Sequence, residues 1–351
     1  MKIGIKVALA LIGFVVLLTV GLLTWLTITD YKPNDVEKLT VENNRNTQLP
    51  DEITIFNWNI GYGALGQGTD FFFDGGETII TPESEYRGYM NGILDTIKDS
   101  EADILFFQEV DIDSKRSYYD NQLDIISNIL PDYGSVFGTN YKVGYIPPPA
   151  LFKESYGRVE AGLVMFSKYR MDESSRLSLP GGYSWPRSTL FLDRCMIVSR
   201  INRGDKNSIV LINTHNSAYD QGGFIKKMQL EFIKSFAETE YDKGNYVVIG
   251  GDWNSYMPGT DGETFKSEEG PSIYNQGLPK EWKMKGWNWA VDRKTPSSRS
   301  LKTPYVKGEN FECVIDGFLL SPNIGIKSIK TEDLGFKFSD HNPIKLSLIL
   351  N

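Results

Sequence analysis

From Val7 to Thr29 the chain runs VALALIGFVVLLTVGLLTWLTIT without a single charge. As a helix rising 1.5 Å per residue this covers roughly 34 Å, enough to cross a bilayer's hydrocarbon core. It has no polar face, so it makes a poor half-buried helix of a soluble domain. Lys2 and Lys6 precede it, whereas Asp30, Asp35 and Glu37 are mixed with Lys32 and Lys38 behind it. The positive-inside bias then leaves the N-terminus in the cytoplasm and the remainder outside the cell membrane, on a single pass. A cleaved signal peptide is the competing reading; against it, the stretch exceeds a usual h-region and no small-x-small site ends it. The expected organisation is an anchor over 1–29, a polar tether without apolar period over 30–51, and one globular domain over 52–351.

The remaining composition is ordinary for a globular chain: of 351 residues, 40% are apolar and 23% charged, which excludes wholesale disorder. Two histidines, His215 and His341, and two cysteines, Cys195 and Cys313, are too few and too scattered for a His/Cys zinc site. Both cysteines lie in apolar runs, CMIVSRI and ECVIDGFLL, which favours buried free thiols over a disulfide. Net charge is −8, and without the two lysines ahead of the apolar segment the rest carries 35 basic against 45 acidic residues, about −10. Such a surface disfavours a long nucleic acid as partner, so a phosphate-bearing ligand must be met locally, by a metal or a small basic patch.

Beyond Ile53, short β-rich runs alternate with helical stretches. Tyr86, Met90, Ile93, Leu94 and Ile97 form one apolar stripe and predict a helix over Tyr86–Lys98. Two more are expected over Gln122–Leu130 and Phe224–Glu238. Strands are expected in ITIFNWNI and DILFFQEV, and over Gly162–Phe166, Met196–Ile201, Ser208–Asn213, Tyr246–Ile249, Val314–Leu320 and Ile344–Ile349. Interleaving of both kinds gives an α/β class.

Several of these runs stop at a carboxylate, amide or imidazole: Asn59, Glu109, His215, Asp252 with Asn254, Asp316, and Asp340 with His341. Taken singly, an Asp or Asn after a strand caps a turn and a lone His is a satisfied polar residue. Taken together they include both histidines of the chain, at the strand ends where sites are assembled. In this order WNI, FQEV, NTH, GGDWNS, VIDGFLLS and SDHNP resemble the endonuclease/exonuclease/phosphatase superfamily of DNase I-like phosphoesterases, over about Ile53–Leu350. The resemblance implies a four-layer α/β sandwich, two mixed sheets face to face with helices outside, here preceded by one transmembrane helix.

The chemistry requires such residues: phosphate-ester hydrolysis needs charge neutralisation at phosphoryl oxygens, an aligned water and help for the departing oxygen. The resemblance implies Glu109 as principal ligand of Mg²⁺ or Mn²⁺, with Asn59 beside it and Asp340 contributing; oxygen ligands suit these hard cations. It implies Asp252 as the residue that orients or deprotonates the water and Asn254 as a donor to a phosphoryl oxygen. His341 is implied as a phosphate contact, donor or general base, His215 as a second donor, and Asp316 as the group that fixes a histidine tautomer. Which histidine Asp316 touches stays open. One departure is that His215 is followed by Asn216-Ser217-Ala218, where the family commonly has Leu.

Substrate recognition is expected from the loops. Gly61–Gly76, with three consecutive phenylalanines, either lines a pocket, touches lipid or plugs the core. Tyr145–Leu151 (YIPPPAL) is a stiff wall of the cleft or a surface connection. Trp282, Trp287 and Trp289 precede Arg293, Lys294, Arg299, Lys302 and Lys307, a phosphate-binding patch or a solvated loop beside a tryptophan cluster. Arg158 and Arg194 are candidate phosphate contacts, with ion pairs as the alternative. The expected activity is a membrane-anchored, metal-dependent phosphodiesterase or phosphatase acting on a phospholipid headgroup or small phosphate ester. The alternative is a surface nuclease acting on external DNA or RNA.

Overall fold

The computed structural model describes residues 2–351 apart from Asp205, 273–275, Lys280, Glu281 and Lys283. An apolar helix, α1 (Lys2–Ile28), precedes everything else. It is long and apolar enough to cross a membrane, with a mean hydropathy of 2.7, and the domain does not cover it. These are features that an anchor and a signal sequence share.

The six-stranded sheet contains β2 (Glu52–Asn59), β3 (Ile104–Asp111), β4 (Gly134–Ile146), β5 (Gly157–Ser167), β16 (Ile324–Thr331) and β17 (Ile344–Leu350), in the order β16-β17-β2-β3-β5-β4. The seven-stranded sheet contains β1 (Val36–Lys38), β6 (Glu173–Ser178), β7 (Cys195–Arg203), β8 (Lys206–His215), β9 (Tyr246–Asp252), β12 (Asn288–Ala290) and β15 (Asp316–Leu320), in the order β1-β6-β7-β8-β9-β15-β12. Two short ladders, β10 (Ser255–Tyr256) with β11 (Gln276–Gly277) and β13 (Ser298–Arg299) with β14 (Glu312–Cys313), complete the strands. Helices α2 (Glu83–Ser100), α3 (Gln122–Ile129) and α4 (Phe224–Asp242) lie outside the sheets.

Strand alternation makes the layers. On β2, Ile53 and Ile55 enter the core between the sheets, while Phe56 and Trp58 enter the one shared with Tyr86, Met90 and Ile93 of α2. On β8, Ile209 and Leu211 face the other sheet, whereas Val210 and Ile212 pack with Leu230 and Ile233 of α4. The result is the expected four-layer α/β sandwich.

Following the inward-facing period of two toward the site, the packing changes from apolar to polar. Beyond Ile55, Phe106 and Leu211 come Asn57, Gln108 and Asn213, all buried. The Gln108 amide donates to Asn57 Oδ1 at 2.9 Å and to Asn213 Oδ1 at 2.7 Å. Asn213 in turn donates across the sandwich to the carbonyls of Phe107, at 3.0 Å, and Val164, at 2.9 Å. These bonds join the sheets one side-chain layer below the site.

The structure corrects some expectations. The segment 30–51 is not a free tether: β1 pairs antiparallel with β6, Glu42 bridges to Ser135, and Leu39, Val41 and Leu49 pack against the core. Its alternating polar residues concealed an edge strand, and polar residues likewise concealed β6 (ESSRLS), which lies between β1 and β7, and the edge strand β16 (IGIKSIKT). β4 was also hidden, because Gly, Thr and Asn interrupt its apolar pattern and two register irregularities bend it. Cys195 and Cys313 are both buried and neither forms a disulfide, as expected.

Replacing Asn213 by Leu leaves the Gln108 amide and two strand carbonyls short of partners. Asn213→Leu should lower stability by about 2–4 kcal/mol, read as an earlier urea midpoint at unchanged slope.

Candidate active site

Strand register brings the site together. His215 pairs with Asp252 across β8 and β9, and Asp252 pairs with Asp316 across β9 and β15, so three candidate groups stand in one row. The Gly-Gly before Asp252 is required there: at Gly251, with φ +145°, a Cβ would lie 1.9 Å from the Thr214 carbonyl oxygen. From the facing sheet comes Asn59, the next inward position after Asn57. Its amide nitrogen donates to Asp252 Oδ2 at 3.1 Å and to Glu109 Oε1 at 3.3 Å.

Glu109 reaches this point by breaking alternation. A bulge between Phe107 and Val110 in the β3–β5 pairing and a left-handed backbone, φ +56°, turn it out of the strand pattern. An L residue in this conformation costs about 1–2 kcal/mol, a strain that clusters at functional positions. Asn254, φ +48°, follows the same rule. Its backbone N–H donates to Asp252 Oδ1 at 2.9 Å, and its side chain donates to the Asn216 carbonyl at 2.9 Å.

Two tryptophans hold the remaining loops. Trp58 donates its indole N–H to the His341 carbonyl at 2.8 Å, and Trp253 donates to the Gly317 carbonyl at 3.0 Å. Ser339 Oγ adds a bond to the Asn59 carbonyl at 2.8 Å. His341 Nδ1 and Asp316 Oδ2 are 2.8 Å apart, and Ser297 Oγ donates to the same carboxylate oxygen at 2.8 Å. Asp316 therefore serves His341, not His215. The other ring nitrogen of His341 lies 3.7 Å from Asp252 Oδ2.

The two histidines are driven in opposite directions. Burial opposes the charge on His341, but Asp316, Asp252 and Asp340 outweigh it and hold its pKa well above the ordinary imidazole value. His215 is pushed well below that value by burial, with Arg194 and His341 adding repulsion. Its Nε2 lies 3.3 Å from Asp252 Oδ2, while its buried Nδ1 has no hydrogen-bond partner. Burial raises Glu109 to about 7, reinforced by the charge of Asp340. Burial likewise raises Asp252 to about 6, and Asp340 is raised too.

Among the described residues no lysine or arginine forms an ion pair with Glu109, Asp252 or Asp340. Buried carboxylates left in this state fit a hard divalent cation, which supplies the missing positive charge to oxygen ligands. Asp252, Asp316 and His341 approach one another within 4.8 Å. That group is occupied internally by the Asp316–His341 hydrogen bond. Asn59 differs from its expected ligand role: it turns its amide nitrogen to the carboxylates, while its oxygen accepts the Gly61 N–H at 3.0 Å.

These groups line a cleft of about 580 Å³ with walls of Tyr62, Phe71, Phe73, Tyr156, Phe191 and Tyr219. The phenylalanine loop thus contributes to the pocket. Arg194 lies in the cleft, half-buried, and desolvation lowers its pKa against the pull of Glu109 and Asp252. Arg158 is a correction: half-exposed, it pairs with Asp113 at 2.8 Å and does not line the cleft. Sequence reasoning missed Arg116, which lines the cleft bonded to Asp111 and stacked 3.6 Å from the centre of the Tyr62 ring. No local motif marks it; only the buried Asp five residues earlier hints at a pair. The tryptophans at 282 and 289 form a cluster with Trp253, and Arg299 is spent on the carbonyls of Leu65, Gly66 and Thr69.

A model of the Endonuclease/Exonuclease/phosphatase family matches residues 56–341. No curated protein matches the chain in sequence. Among solved structures, it is similar to an endonuclease/exonuclease/phosphatase from Beutenbergia cavernae, at 14% identity and TM-score 0.53, covering 86% of this chain and 72% of that one. It is similar to the human Nocturnin catalytic domain with bound sulfate, at 18% identity and TM-score 0.53, covering 88% and 98%. TDP2 from Caenorhabditis elegans gives 16% identity and TM-score 0.52 over 85% and 74%. At these identities the likeness concerns the fold.

The raised carboxylates give a pH signature. Their folded pKa values, about 7 for Glu109 and about 6 for Asp252, exceed those of the unfolded chain. Their contribution is therefore fully present at low pH and is lost as pH rises through 6 and 7. In chelator, Glu109→Gln should melt a few degrees above the wild type at pH 8, the gap closing toward pH 4.5; circular dichroism melting reads both.

Proposed function

Because this chain belongs to the endonuclease/exonuclease/phosphatase family, whose members are divalent-metal-dependent phosphoester hydrolases, we propose that it is a membrane-anchored phosphoesterase acting on a phospholipid headgroup or similar small phosphate ester. The observation that carries the substrate reading is the cleft itself. Its walls are aromatic, and of its three lining arginines Arg116 and Arg299 are buried and Arg194 is half-buried, so they are not arrayed along an open groove. A nuclease needs a run of cationic contacts to successive phosphates.

Glu109 and Asp340 would hold Mg²⁺ or Mn²⁺. When bound, the cation neutralises charge on the phosphoryl oxygens. Asp252 accepts hydrogen bonds from Asn59 and the Asn254 backbone, which fix its carboxylate to orient the attacking water. His341, protonated and held by Asp316, donates its Nε2 proton toward the phosphoryl group; its raised pKa favours the donor role over the general base. His215, neutral, offers a second contact, and Arg194 lies beside it, with Nη1 3.5 Å from the His215 carbonyl oxygen. Asn254 is placed to donate its second amide hydrogen. These donors are held by their hydrogen bonds before substrate arrives, the preorganisation that makes electrostatic stabilisation of a transition state effective.

Lys2 and Lys6 ahead of α1, and the uncharged length of α1, support an uncleaved anchor with the domain outside the cell membrane. The test is a substrate panel with the full-length protein: a soluble aryl phosphodiester, phospholipid vesicles and plasmid DNA. Hydrolysis of the first two, lost in chelator and restored by Mg²⁺ or Mn²⁺, is expected. His341→Ala and Asp252→Ala should each lower turnover by about 10²–10⁴-fold without loss of fold by circular dichroism. DNA cleavage that falls steeply with salt, with vesicles untouched, would instead identify a nuclease.

A further inference from the structure

The end of α1 does not hang free. Trp185 donates its indole N–H to Thr27 Oγ1 at 3.0 Å, in the last turn of the helix. Leu26 is buried, and the Trp25 ring lies so close to Gly144 that a Cβ there would be 3.2 Å from it. Only seven residues separate Ile28 from Val36, the first residue of β1, which is paired into the sheet. If α1 crosses a bilayer, the loops that touch its last turn lie at the membrane boundary.

Those loops are apolar where they face outward. Trp185 is 59% exposed, Leu151 87% and Phe152 fully, and Tyr145 lies beside Gly144. Leu151 and Phe152 sit on the connection between β4 and β5, which begins directly after Ile146. Lys153 and Arg187 stand next to these apolar tips in sequence, as expected of groups that meet lipid phosphates. Tryptophan and tyrosine are the residues that prefer the bilayer interface.

The chain on either side of these loops reaches the cleft wall, while 145–153 and 183–187 themselves stay outside it. Six residues after Trp185, Phe191 lines the cleft, with Leu190 and Leu192 packed on Tyr141, Val143 and Tyr156 of the β4–β5 end. The Tyr141 hydroxyl donates to the Leu190 carbonyl at 2.8 Å. The rim thus holds the helix end, and the chain flanking it bounds the site.

We infer that the rim formed by 145–153 and 183–187 seats in the lipid interface beside α1, so that the catalytic cleft opens against membrane headgroups. This rests on the proposed anchor and gives it a specific consequence: the membrane is a surface that the rim docks on, and the substrate phosphate is drawn from it.

The test uses the full-length chain in nanodiscs of phosphatidylcholine and phosphatidylglycerol. Because Cys195 and Cys313 are buried, an environment-sensitive thiol fluorophore can be placed on Phe152→Cys, with Lys327→Cys as reference. Lys327 pairs with Glu52, at the opposite end of β2 from Asn59. The inference predicts a blue-shifted label at 152, quenched several-fold more than the reference by spin-labelled lipids. It also predicts that Leu151→Asp with Phe152→Asp lowers vesicle hydrolysis about tenfold while the rate on the soluble aryl phosphodiester stays unchanged. Equal, weak quenching at both positions overturns the inference. Intact mass identifies the separate failure: loss of the first 29 residues removes the anchor itself and the docking with it. Strong quenching without phospholipid turnover leaves the docking supported and rejects the lipid substrate.

Discussion

The hydrogen bond from Gln108 to Asn213, with the two bonds that Asn213 sends back to the facing sheet, is the interaction on which the site depends. Two sheets held only by aliphatic packing can slide, because apolar contact has no direction. A buried amide with three partners fixes them in one register, since any slip strands polar groups at a cost of about 1–3 kcal/mol each. Two residues further along the same inward-facing rows stand Asn59 and His215, and the bulge in β3 turns Glu109 toward them. Fixing the bridge therefore fixes the separation of candidate site groups that come from different sheets, His215 Nε2 and Glu109 Oε1 at 3.8 Å among them.

Above that bridge the fold gathers acidic groups that, among the described residues, form no ion pair with lysine or arginine. It spends its buried arginines elsewhere: Arg116 on Asp111, Arg299 on loop carbonyls. The outcome is a divided site. On one side are Glu109 and Asp340, with burial and the Asp340 charge raising the Glu109 pKa; on the other, Asp316 and Asp252 hold the His341 pKa high. His215 lies between them as a neutral imidazole. The two histidines thus have separate chemistries set by their surroundings, one by an aspartate 2.8 Å away and the other by burial beside an arginine.

Much of this was legible in the sequence. Apolar runs ending in Asn59, Glu109, His215, Asp252, Asp316 and His341 named the site, because strand ends are where alternation hands over from core to cleft. The gathering of His215, Asp252 and Asp316 into one row needed strand order, which no local pattern contains. Glu109 was found by motif, but its bulge was not, since strict alternation would aim it at the helices. Arg158 misled because a basic residue near the site in sequence pairs as readily with a surface aspartate. The strands β1, β6 and β16 escaped notice for a related reason: β1 and β16 are sheet edges, and β6 buries polar Ser174 and Arg176, so none of them needs many apolar residues. Reading 30–51 as a tether followed from that, and its correction ties the helix end to the rim of the cleft.

The central claim is that the cation belongs to Glu109 and Asp340 while the Asp316–His341 pair acts on the substrate. Electron paramagnetic resonance of Mn²⁺ titrated into the full-length protein and its variants tests this directly. The account predicts tight binding that is lost in Glu109→Gln and kept in Asp316→Asn. Retention in Glu109→Gln with loss in Asp316→Asn would place the cation on the histidine side and contradict it.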